Sequence, residues 1–237
     1  MTSADTHDQA REQVDRRNLL GWLLIVPVYF ALFTFLPAGT WAWTKGWLFL
    51  GVMFVAGVVA SVFLWRVNPD VVAARSRSFK VAKRWDKLLL WFFFPAFCAI
   101  IPVAALDDGR FHWSALPWWV CGVGYALLLV GTAGITWAEA VNKFFEPTVR
   151  IQTERGHKVI DTGPYALVRH PGYVTGLLIF LGIPLCLGSV WALIPAGLAS
   201  LLILLRTRWE DEMLQEELPG YKEYTQRVRY KMIPGVW

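Results

Sequence analysis

"YVTGLLIFLGIPLCLGSVWALIPAGLASLLILL", residues 173–205, is an uncharged run of 33 residues. An α-helix rises about 1.5 Å per residue, so as one rod the run would be about 50 Å long, well beyond a hydrocarbon layer of about 30 Å. Gly188-Ser189 sits near its middle, where a turn meets least resistance. The run therefore reads as a helical hairpin of two short spans, the second continuing into the polar C-terminal segment. One strongly tilted helix is the alternative that length alone leaves open.

Working outward, four more stretches carry almost no charge and have the length of a crossing: Leu19 to Pro37, Trp47 to Trp65, Leu88 to Leu106 and Leu116 to Trp137. With 56% hydrophobic residues in 237, the composition departs from that of soluble domains. The expected fold is an all-α polytopic membrane protein with about six transmembrane helices, the last two a hairpin. Residues 1–18 form a polar tail, 19–137 hold four transmembrane helices, and 138–237 hold a cytoplasmic motif loop, the hairpin and a polar C-terminal segment.

The charges give an independent reading of topology, because Lys and Arg accumulate on the cytoplasmic side of membrane proteins. Of 23 basic residues, only Lys45 and Arg110 fall in the loops that six crossings put on the far side. Both termini are thus expected in the cytoplasm, in an integral, multi-pass protein. The net charge of +5 then reflects topology and attraction to anionic membrane lipids, not nucleic-acid binding, for which there is no motif. Cys98, Cys121 and Cys186 lie far apart inside expected spans, without the spacing of a metal site, and read as small packing residues. The first 18 residues are polar and include four acids, so the first span reads as a retained anchor.

Smaller features fill in the frame. Trp41, Trp43 and Trp47, with Trp113, Trp118 and Trp119, fit an interfacial aromatic belt. The basic loop from Arg66 to Lys87 has room for a surface helix after Asn68-Pro69. Pro95 and Pro102 should bend the third span. Between Glu139 and Tyr173 the chain is too polar to cross a membrane and too rich in Gly and Pro for one helix. It reads as two short extended segments with turns at Arg155-Gly156 and Thr162-Gly163-Pro164, before a helix opening at Pro171. After the hairpin, Arg206 to Leu218 has helical spacing, Pro219-Gly220 interrupts it, and a short helix follows from Tyr221.

Two polar units therefore flank the hairpin. The first offers Tyr165, Arg169, His170 and Tyr173. The second offers two Arg/carboxylate pairs at i,i+4, Arg206 with Glu210 and Arg208 with Glu212. Such pairs are commonly plain helix ion pairs, yet ionisable groups where a helix leaves the membrane have a functional bias.

The motif series Gly156-His157, Gly163-Pro164-Tyr165 and Arg169-His170-Pro171-x-Tyr173-x-x-Gly176 resembles the isoprenylcysteine carboxyl methyltransferase family. So do the acids at Glu210 to Glu212, the tyrosines Tyr221 and Tyr224, Arg227 and Ile233-Pro234. The resemblance implies an integral membrane methyltransferase that uses S-adenosylmethionine and a lipophilic acceptor from the bilayer, whether carboxylate, thiol or amine. It implies cofactor contacts from His157, Lys158, Val159, Ile160, Tyr165, His170, Pro171, Gly172, Tyr173 and Glu212, and a substrate-contacting arginine at Arg208. Arg208 and Glu212 are then the expected catalytic pair, with Arg206 and Glu210 as alternates two residues earlier. No GxGxxG element or metal set is present, in keeping with methyl transfer, which demands alignment above all. The tail departs from the family in having Leu218-Pro219-Gly220-Tyr221 where Phe-Gly is usual before the tyrosine, and Arg-Val-Arg at 227–229.

Two other classes compete. Membrane sterol and steroid reductases share an Arg-His-x-x-Tyr segment and use NADPH, but they typically carry Asn and an acid where this chain has Gly172 and Leu177. A scaffold or transporter would have no need of the cytoplasmic cluster.

Overall fold

The structure, a computed structural model, describes residues 28, 30–69, 71, 82–114 and 116–237. A helical segment at 30–38 precedes α1 (Thr44–Val67), α2 (Arg84–Ala104), α3 (Trp118–Val141), α4 (Pro171–Cys186), α5 (Leu193–Glu217) and α6 (Tyr221–Arg227). No strand occurs among the described residues, so the two extended segments expected in the motif loop do not pair. The polar N-terminal tail, the start of the first expected span and most of the expected surface helix after Pro69 lie outside the described residues.

Among the described residues, three helices are long and apolar enough to cross a membrane: Thr44–Val67, Arg84–Phe111 and Trp118–Val141. The uncharged run at 173–205 is divided, α4 ending at Cys186 and α5 resuming at Leu193. That break removes the single tilted helix. Gly188 turns the chain with φ +75°, and a Cβ there would fall 2.3 Å from Lys45 Nζ. The positive φ is what favours glycine here, since the Lys45 ammonium ends a flexible side chain and can move aside.

The third expected span is longer than its apolar stretch. α2 begins at Arg84, contains both Pro95 and Pro102, and passes into a π-helical turn at Ala105–Phe111 that carries Asp107, Asp108 and Arg110. The turn widens the helix just after Pro102 has removed a backbone donor. Its acids are held by Ser114 just beyond the turn and by partners remote in sequence. Asp107 is buried and accepts from the Ser114 amide at 2.7 Å, Ser114 Oγ at 2.5 Å and Ser189 Oγ at 2.6 Å. Asp108 accepts from Trp43 Nε1 at 2.7 Å and Lys45 Nζ at 2.6 Å. This polar knot binds α1 and α2 to the hairpin turn and closes one end of the bundle, the turn end.

α3 and α4 pack closest, because glycines face the partner helix. A Cβ on Gly124 would lie 2.4 Å from the Cys186 amide, and one on Gly131 would lie 2.7 Å from Ile179 Cγ1. In lipid, where apolar contact alone gives helices little reason to associate, such backbone approach supplies dispersion energy. Phe49, Ile100, Leu128, Phe180, Ile183, Ala196, Ala199 and Ile203 fill the interior. Val59, Trp91, Val130, Ile194 and Leu201 are exposed on the outside, the surface expected of helices in hydrocarbon. At the other end, the motif end, a second small core of Val149, Met213, Leu214, Leu218, Tyr221, Tyr224 and Val228 seats the polar C-terminal unit.

Candidate active site

The motif loop between α3 and α4 is shaped by its own polar contacts. Gln152 donates through Nε2 to the Phe144 carbonyl at 2.7 Å, and a 3₁₀ turn at Thr153–Arg155 ends on Gly156 at φ +61°. This returns His157 to the loop, where its Nδ1 accepts from the Gln152 amide at 3.3 Å and its ring lies 4.5 Å from that of Phe144. Because Nδ1 accepts, the ring proton belongs on Nε2. Burial, with help from the nearby Arg150, pushes the His157 imidazole down to about 4. It is therefore a neutral donor near neutral pH.

A second turn, Gly163–Ala166, places Tyr165. Its hydroxyl accepts from Asn142 Nδ2 at 3.1 Å, and its carbonyl accepts from the Tyr224 hydroxyl at 2.6 Å. Burial pushes the Tyr165 phenol up, so it stays protonated. The chain then enters Arg169-His170-Pro171, with Pro171 opening α4. The backbone amides of Arg169 and His170 donate to the carbonyls of Tyr230 and Lys231, at 3.0 and 2.8 Å. The C-terminal segment is thereby strapped across the motif.

Asp211 on α5 is the hub of that strap. It has no exposed side-chain surface and takes Arg169 in a two-pronged pair, Nε at 2.7 Å and Nη2 at 3.0 Å. His170 Nε2 lies 3.2 Å away, and the Tyr221 hydroxyl and Gln215 Nε2 donate at 3.2 and 2.9 Å. Burial would raise the Asp211 carboxyl, but the bonds from His170 and Arg169 outweigh it and hold the acid well below the usual carboxylate range. Arg169 Nη1 donates to the carbonyls of Val228 and Arg229. Arg169 is thus a buried tie between motif, α5 and tail.

A cavity of about 430 Å³ opens between the motif loop and the helices. His157, Lys158, Val159, Ile160, Tyr165, His170, Pro171, Gly172, Tyr173 and Arg206 all line it, as does Glu210. Its far half is apolar, made by Leu90, Phe93, Phe94 and Phe97 of α2, Ile179 and Phe180 of α4, and Ile203 of α5. Phe94 is also exposed on the outer surface of the bundle.

Arg208 and Glu212 do not line this cavity. They pair with each other at 3.0 Å on the outside of α5, with side chains 64% and 51% exposed. The reason is helical: two residues advance the side chain by about 200°, so Arg206 and Glu210 face inward when Arg208 and Glu212 face out. Nor do Arg206 and Glu210 form the expected i,i+4 pair. Arg206, 6% exposed, pairs with Asp86 through Nε at 2.7 Å and Nη2 at 3.2 Å, and Nη2 also donates to the Pro147 carbonyl at 2.7 Å. The Arg206 guanidinium lies 5.5 Å from the centre of the Tyr173 ring, and the Tyr173 hydroxyl donates to Glu210. Tyr173 in turn stacks on His170, with ring centres 5.7 Å apart.

Asp86 and Asp211 are buried acids beside the site to which no role attached from sequence. Asp211 lay inside the acidic triplet of the tail; Asp86 stands in a basic loop with no motif around it. Among the described residues, no group of three or more His, Cys, Asp or Glu side chains is placed to hold a metal ion.

The family model for phospholipid methyltransferases matches residues 119–219. The nickel-cobalt-cadmium resistance protein NccN of Alcaligenes xylosoxydans xylosoxydans is 27% identical over 129 residues, covering 54% of this chain and 57% of that protein. Protein-S-isoprenylcysteine O-methyltransferase B of Arabidopsis thaliana is 29% identical over 119 residues, covering 47% and 58%. The chain thus spans a little over half the length of the curated relatives it matches. The solved structure of a eukaryotic intramembrane Ras methyltransferase, ICMT, shares the fold with a TM-score of 0.51 at 19% identity, covering 88% of this chain and 74% of that one. Motifs, family match and fold point the same way: the chain has an ICMT-like, all-helical fold and is similar over residues 119–219 to the phospholipid methyltransferases.

Proposed function

We propose that the protein is an S-adenosylmethionine-dependent methyltransferase acting on a lipophilic acceptor drawn from the bilayer. One observation carries the reading: a single cavity is polar at the motif loop and apolar between α2, α4 and α5, with Arg206 and Glu210 lining it. A water-soluble donor and a lipid-soluble acceptor need such a shared space. Six crossings with both termini in the cytoplasm remain the topology that the Lys and Arg distribution favours, and they give the motif end to the cytosol.

The residues fit the cofactor's chemistry. Glu210 forms no direct ion pair among the described residues and offers a carboxylate to a cationic ligand. Tyr165, Tyr173 and His170 give aromatic surface, and His157 gives a neutral Nε2 donor. A volume of about 430 Å³ lies in the range of small-molecule sites. When bound, S-adenosylmethionine supplies an electrophilic methyl on a positively charged sulfur. The chain's own task is to bind, align and exclude water, which is where most of the rate of an in-line displacement is gained.

The roles expected of Arg208 and Glu212 are assigned here to Arg206 and Glu210. Arg206 uses Nε and Nη2 within the protein, and its Nη1 has no partner among the described residues. That group can receive an anionic acceptor oxygen, so a lipophilic carboxylate is favoured over an amine or a thiol. A carboxylate brings its own lone pair and carries no proton to be removed, so the chain would need only to orient it through Arg206, without a general base.

Detergent-purified protein should gain thermal stability from S-adenosylmethionine or its demethylated product, following RT ln(1 + [L]/Kd). Stabilisation by NADPH alone would replace the methyltransferase reading with a reductase. Labelled-methyl transfer into host lipid extract, with the product identified, then names the acceptor.

A further inference from the structure

We infer that Asp86, at the start of α2, is a positioning residue for Arg206: it fixes the guanidinium so that one amino group is presented to the cavity. The inference rests on the proposed methyl transfer and extends it to a residue outside the matched family segment, 119–219.

The geometry is specific. Asp86 has no exposed side-chain surface. Its Oδ1 takes Arg206 Nε at 2.7 Å, and its Oδ2 takes both Arg206 Nη2 at 3.2 Å and the Val149 amide at 2.7 Å. The Val149 carbonyl accepts the Lys83 amide at 3.1 Å, just before α2 begins. Arg206 and Val149 both line the cavity. One carboxylate therefore sets the side-chain fork of α5 and the loop wall beside it.

A planar guanidinium held along one edge has no rotational freedom left, so the direction of Nη1 is decided by Asp86 and by the Pro147 carbonyl on Nη2. In displacement chemistry a misplacement of about 1 Å can cost about 100-fold in rate. Lys83 with Glu217 at 2.7 Å, and Trp85 edge-on to Trp209 at 5.7 Å, hold the same two helix ends together independently of Asp86. The contact between α2 and α5 does not depend on the acid alone.

The test compares Asp86→Asn and Asp86→Glu with wild type in detergent. It measures S-adenosylmethionine affinity by calorimetry and turnover with N-acetyl-S-farnesylcysteine as a lipophilic carboxylate probe. Asp86→Asn is expected to lower kcat/KM for the probe by roughly 10- to 100-fold while cofactor Kd stays within about threefold, and Asp86→Glu to restore part of the loss. Wild-type kcat/KM in a folded Asp86→Asn protein overturns the inference, as does a loss confined to cofactor Kd. If Asp86→Asn does not fold, Asp86→Glu decides. Reduced turnover with normal cofactor affinity supports the role, and unchanged turnover overturns it. A wild-type protein that binds no S-adenosylmethionine sinks the methyltransferase reading itself, before any variant is compared.

Discussion

The two ends of the helical bundle use buried acids for opposite purposes. At the turn end, Asp107 and Asp108 are surrounded by donors from Ser114, Ser189, Trp43 and Lys45, and the cluster closes on itself. At the motif end, Asp86 and Asp211 each hold an arginine in a two-pronged pair beside a cavity. The first arrangement shuts a bundle; the second leaves an edge of the network facing a ligand. A buried acid thus says little about function until its partners' remaining donors are traced, since pairing alone is weak evidence even for stability.

That contrast can be broken by substitution. Arg169→Ala removes the buried cation paired with Asp211, which keeps only His170, Tyr221, Gln215 and a longer contact to Lys231, a change expected to cost up to about 3–5 kcal/mol and to loosen the C-terminal strap. Asp107→Ala strands three donors at the turn end and should cost about 2–4 kcal/mol. Melting in detergent should show both losses. Only Arg169→Ala should also abolish stabilisation by S-adenosylmethionine, and equal cofactor responses in the two variants would erase the distinction between the ends.

Within the motif end, Glu210→Gln removes a charge from the cavity wall while keeping an acceptor for Tyr173. Hydrogen bonds to charged groups contribute about 1.5–3 kcal/mol, so cofactor affinity should fall roughly 10- to 100-fold with little change in melting temperature. Calorimetric titration reads it directly.

His157 gives a smaller effect with a definite sign. Its ordinary value is 6.5 and burial lowers it to about 4, so between those values the unfolded chain binds a proton that the folded chain refuses. The stability is complete above pH 6.5 and is lost as pH falls toward 4. Fully realised, that gap is worth about 3 kcal/mol; partial solvent exposure brings the expectation nearer 1 kcal/mol. Melting temperatures across this window should fall for wild type and flatten for His157→Gln.

How much of this was legible beforehand follows from where the information lies. The hairpin could be read because a length can be compared with a membrane thickness, and the turns at Gly156 and Gly163 because glycine marks positive φ locally. The π turn could not, since Asp107 looked like the charge that ends a span, and its partner Ser189 is 82 residues away. Asp86 was silent for the same reason, standing 120 residues from Arg206. The motifs located the cavity wall on the loop, where consecutive residues share a surface. On α5 they left two registers, because a motif counts residues and a helix distributes them around an axis.

The two faces of α5 supply the smallest and sharpest test. Arg208 and Glu212 are exposed and bonded to each other, an arrangement worth roughly 0.5 kcal/mol or less in water. Arg208→Ala and Glu212→Ala should therefore leave melting temperature, cofactor affinity and turnover within a factor of about two of wild type. Arg206→Lys, which keeps the charge but cannot hold Asp86 along two bonds, should lose turnover at nearly unchanged cofactor affinity. A tenfold loss of turnover in Arg208→Ala with a silent Arg206→Lys would reverse the assignment and put the acceptor on the outer face of the helix, away from the cavity altogether.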